Sequence, residues 1–147
     1  IYCYESVIQL IRDQQFFFYY YFGVKLIKLE VKDIIEILHN IINLLKNYKN
    51  YNIAFINKYN NCISESDEFY CMVKERQTAL VETYESSKST PLVRLSIGEP
   101  MVVKAFEEYF IEIWEHIAPI NKDKNEVINW IQDQIKLLEK RIASEAG

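Results

Sequence analysis

Glycine and proline are nearly absent: the 147-residue sequence holds three of each. Few tight turns and no disordered linker are therefore expected. The glycines stand far apart at Gly23, Gly98 and Gly147, which excludes the clustered Gly-rich loops that cradle phosphates. Cysteine is scarce too. Cys3, Cys62 and Cys71 make an odd number with no Cys-x-x-Cys spacing, so a disulfide framework is not expected and reduced thiols in a cytoplasmic protein are. The two histidines, His39 and His116, are remote in sequence; with so few N and S ligands no zinc set assembles, and neither a metal nor a cofactor is expected. No apolar run reaches the roughly eighteen residues that a membrane span requires. A net charge of −4 argues against a nucleic-acid surface spread over the chain, because phosphate neutralisation needs clustered Lys and Arg.

Hydrophobic residues are plentiful at 50%, and eleven Tyr accompany eight Phe. That content, over this length, suffices for one domain with a core, residues 1–147. The sequence starts at Ile1, and we read it as a fragment whose upstream part is missing.

Periodicity supplies the elements. Tyr4, Val7, Ile8 and Ile11 recur at helical spacing. Seven aromatics follow at 16–22. Their propensity favours a strand, but Phe18, Tyr21 and Phe22 keep the helical phase and Gly23 suits a helix C′ position. One helix to about Phe22 is expected, its rings covered by core or a dimer contact, or else lining a ligand pocket. Val31, Ile34, Ile35, Leu38, Ile41, Ile42, Leu45 and Tyr48 predict a second helix. A buried strand is expected at 51–56, a loop at 57–67, and a hairpin at 68–85 centred on Glu75-Arg76-Gln77, with another loop at 86–89. A strand at 92–97 leads through Gly98 to a helix opening at Pro100. That helix carries a stripe of Val102, Val103, Phe106, Tyr109, Phe110, Ile113, Trp114 and Ile117, faces Lys104, Glu107, Glu108, Glu112 and Glu115 outward, and stops by Pro119. Asp123 and Glu126 open a last helix, 123–142, in capping-box fashion. The order predicts an α+β fold, with a mostly antiparallel sheet of about four to five strands and amphipathic helices packed on it.

No catalytic constellation appears. Cys71 with His116 lacks a nucleophile elbow, and Glu107 with Glu108 reads as a solvated helix face. The last two helices imitate a helix-turn-helix, but the first exposes glutamates and the joint lacks a Gly-containing turn. We expect no catalytic residue, and Phe18, Tyr21, Phe110, Trp114 and Trp130 as candidate interface residues.

The strand at 92–97, then Gly98-Glu99-Pro100, then Phe106, Tyr109, Phe110 and Trp114 resembles the closing part of regulatory domains that accompany helix-turn-helix modules in bacterial transcription regulators. Those domains are TrmB-like and similar to inactive phospholipase D relatives. A looser likeness reaches back to Val31. The His-x-Lys motif of active phospholipase D relatives is missing, since His39 precedes Asn40-Ile41 and His116 precedes Ile117-Ala118. The resemblance implies a cytoplasmic, non-catalytic, effector-sensing and dimerisation domain. It would act as a homodimer, bind a small-molecule effector, and meet DNA only through a domain outside this chain. The alternative is a stand-alone protein-interaction module.

Overall fold

The computed structural model describes residues 1–20, 23–56, 69–83 and 93–145. The expected loops at 57–67 and 86–89, and Tyr21, Phe22 and Cys62, lie outside the described residues. The fold is α+β. Its largest sheet has three antiparallel strands, with two further two-stranded pairs, instead of one sheet of four or five. The chain divides into two compact units, 1–16 with 26–58 and 117–147, and 17–25 with 59–116.

In the first unit, β1 (Tyr2–Cys3) pairs in parallel with β4 (Phe55–Ile56). The strand expected over 51–56 is thus confined to its last two residues. Helix α1 (Tyr4–Asp13) ends where Gln14 turns to φ 55° and its N–H reaches the Leu10 carbonyl at 2.9 Å. A single helix to Phe22 is therefore overturned. Gln14 takes the left-handed break usually given to Gly or Asn, and the aromatics that follow enter β2 (Gln15–Tyr20), the state their propensity favours. Gly23 does not cap a helix either; it opens β3 (Gly23–Lys28), which pairs with β2. The boundary between the units runs through both strands.

Helix α2 (Val31–Asn47) and helix α5 (Lys124–Glu145) build the core of this unit. Ile34, Leu38, Ile42 and Leu45 meet Val127, Ile128, Ile131, Ile135 and Leu138, and Ile53 and Phe55 join them. Their three- and four-residue spacing keeps them on one face of each helix. The Asp33 carboxylate accepts the Glu30 N–H at 2.9 Å and secures the start of α2. Asp123 does the same for α5, its Oδ1 accepting the Asn125 and Glu126 N–H groups at 2.9 and 3.1 Å. Pro119 begins a short helix, α4 (Pro119–Lys122), a position that suits its missing donor.

In the second unit, β5 (Phe69–Lys74), β6 (Thr78–Thr83) and β7 (Val93–Ile97) form the three-stranded sheet, with β6 central. The expected hairpin is present: Lys74 pairs with Thr78 and Phe69 with Thr83. Its turn lacks glycine, so Arg76 takes φ 56°, and the Gln77 N–H closes on the Lys74 carbonyl at 3.0 Å. Register puts Val73, Ala79 and Ile97 side by side on one face. Helix α3 (Pro100–His116) packs on β5 and β6. Glu99 caps it, accepting the Val102 N–H at 2.8 Å, and Pro100 occupies the first turn as expected. The Glu107 carboxylate then holds the Arg76 N–H at 2.6 Å, which fastens the hairpin turn to α3.

Candidate functional site

Catalytic chemistry needs convergent side chains, and the described residues offer little of it. His39 is exposed on α2. His116 is exposed at the end of α3, and its Nδ1 lies 2.7 Å from the Glu112 carbonyl. A carbonyl only accepts, so Nδ1 carries the proton and donates it, leaving Nε2 as the free ring atom. Among the described residues, no three His, Cys, Asp or Glu side chains gather closely enough to hold a metal. No described helix is long and apolar enough to cross a membrane.

What the structure does offer is exposed apolar surface on helices. Helix α3 was expected to bury a wide stripe. Burial is instead uneven along it: Val103 is 1% exposed, Phe106, Ile113 and Trp114 are half-buried, and Phe110 on the same side is 47% exposed. Met101, Val102, Tyr109 and Ile111 are exposed as well. Among the residues of this unit whose burial is described, the buried hydrophobics are Ala79 and Val103. Exposed Glu108, Glu112 and Glu115 lie on the side of α3 opposite Phe110, and Lys104 lies 3.4 Å from Glu108.

Of the five candidate interface residues, Phe110 and Trp114 fall in the second unit and Trp130 in the first. Phe110 and Trp114 stand one helical turn apart on α3, their rings stacked with centroids 6.2 Å apart. Trp130 belongs to the other unit, half-buried on α5. Its ring sits 4.5 Å from Phe55 and 5.1 Å from Tyr4, and Tyr4 stacks on Phe55 at 4.8 Å. This trio joins α1, β4 and α5, so Trp130 serves packing within its unit. Burial pushes the Tyr4 phenol above its ordinary pKa. Phe18 lies in β2, whose side chains fall outside the description, as does the whole of Tyr21.

Two features escaped the sequence reading. Helix α2 has a second apolar line beside its buried one: Ile37 is 44% exposed and Leu44 39%, with Ile41 half-buried between them. The signal was present as a four-three spacing, but the stronger core stripe overlapped it. The other is Lys124. Its ammonium donates to the carbonyls of Tyr48, Lys49 and Leu45 at 2.9, 3.2 and 3.4 Å. A lysine one residue after a helix cap carries no sequence signal of that role.

Compared with known proteins, the chain matches no family model, no curated protein and no solved structure.

Proposed function

We propose that this chain is a non-catalytic association domain, which pairs with a second copy of itself and presents the α3 surface to a further polypeptide. The observation that carries the reading is the apolar exposure of α3, where Met101, Val102, Tyr109, Phe110 and Ile111 all face solvent. Such side chains are normal singly; grouped on one helix they favour a docking role. Phe110 and Trp114 supply the aromatic anchors that interfaces favour.

The narrower form of this reading is an effector-sensing and dimerisation domain of a bacterial, cytoplasmic helix-turn-helix regulator. It is supported by the likeness of residues 92–114 and by the missing His-x-Lys motif. An effector would then act by favouring one arrangement of the paired copies. This form requires a helix-turn-helix segment in the same native polypeptide, and a native reading frame without one refutes it.

The association reading is tested by capture from a lysate of the native host, comparing the wild-type chain with Phe110→Glu and Ile111→Glu. A protein retained by the wild type and lost by both variants is the expected result. An identical captured set on all three overturns the docking role of α3.

A further inference from the structure

We draw no further inference here: the strongest candidate, the exposed apolar side of helix α2 at Ile37 and Leu44, carries nothing, because nothing in the structure shows what covers it.

Discussion

Replacing Lys124 by Met tests how the two long helices of the first unit are held together. The last carbonyls of α2 have no partner in their own helix, and they form the negative end of its dipole. Lys124 serves the end of α2 and the turn after it, with hydrogen bonds of 2.9 and 3.2 Å to the Tyr48 and Lys49 carbonyls just past the helix and a weaker approach of 3.4 Å to the Leu45 carbonyl within it. Met keeps the aliphatic stem of the half-buried side chain, so the loss is confined to the ammonium. A hydrogen bond from a charged donor contributes about 1.5–3 kcal/mol when buried. Two good ones at a partly solvated site, after discounting for water that replaces them, should contribute about 1.5 kcal/mol in all. The two tryptophans lie in different units, Trp114 in one and Trp130 in the other. In a Trp114→Phe background, urea unfolding followed by Trp130 fluorescence therefore reports the unit containing α2 and α5. Lys136→Met is the control: its 2.8 Å pair with Asp133 is 65% exposed on both sides, and its loss should cost no more than about 0.3 kcal/mol. If Lys124→Met costs no more than that control, the three carbonyl contacts hold nothing together and the reasoning fails.

Among the described residues, Gln14 and Arg76 are the non-glycine residues at positive φ, 55° and 56°. Changing either to Gly should raise stability by about 0.5 kcal/mol, the relief of left-handed strain exceeding the added freedom of the unfolded chain; a lower urea midpoint for both would contradict it. Burial holds the Tyr4 phenol above its ordinary value of 10.0. Between that value and the raised one the folded state keeps a proton that the unfolded state has released. Tyr4 therefore adds stability that is whole below pH 10 and declines as pH climbs past it. The stability difference between wild type and Tyr4→Phe should be flat up to about pH 9 and change above pH 10; a difference that stays flat to pH 11.5 would show the phenol unperturbed.

The elements that the sequence predicts well are those whose pattern is fixed by burial on one side. The face of α2 running through Ile34, Leu38 and Leu45, and that of α5 through Val127, Ile131 and Leu138, are legible because one continuous core demands them. The hairpin of β5 and β6 was legible through alternation alone, without help from its turn. The break at Gln14 was not. Helical phase continued past it, and no Gly or Pro marked it; what decided it was the pairing of β2 with the next strand, β3, which helical periodicity does not register. The division into two units was illegible for a related reason, since the first unit is assembled from three separate stretches of chain.

Helix α3 fails in the opposite sense: its residues predict a buried stripe, and the fold leaves much of that stripe uncovered. Periodicity reports that a face is apolar, not what covers it. Val103 finds the sheet and Phe110 does not, although they lie seven residues apart on one side of the helix. The same holds for α2, where Ile37 and Leu44 remain in solvent after the first line is buried.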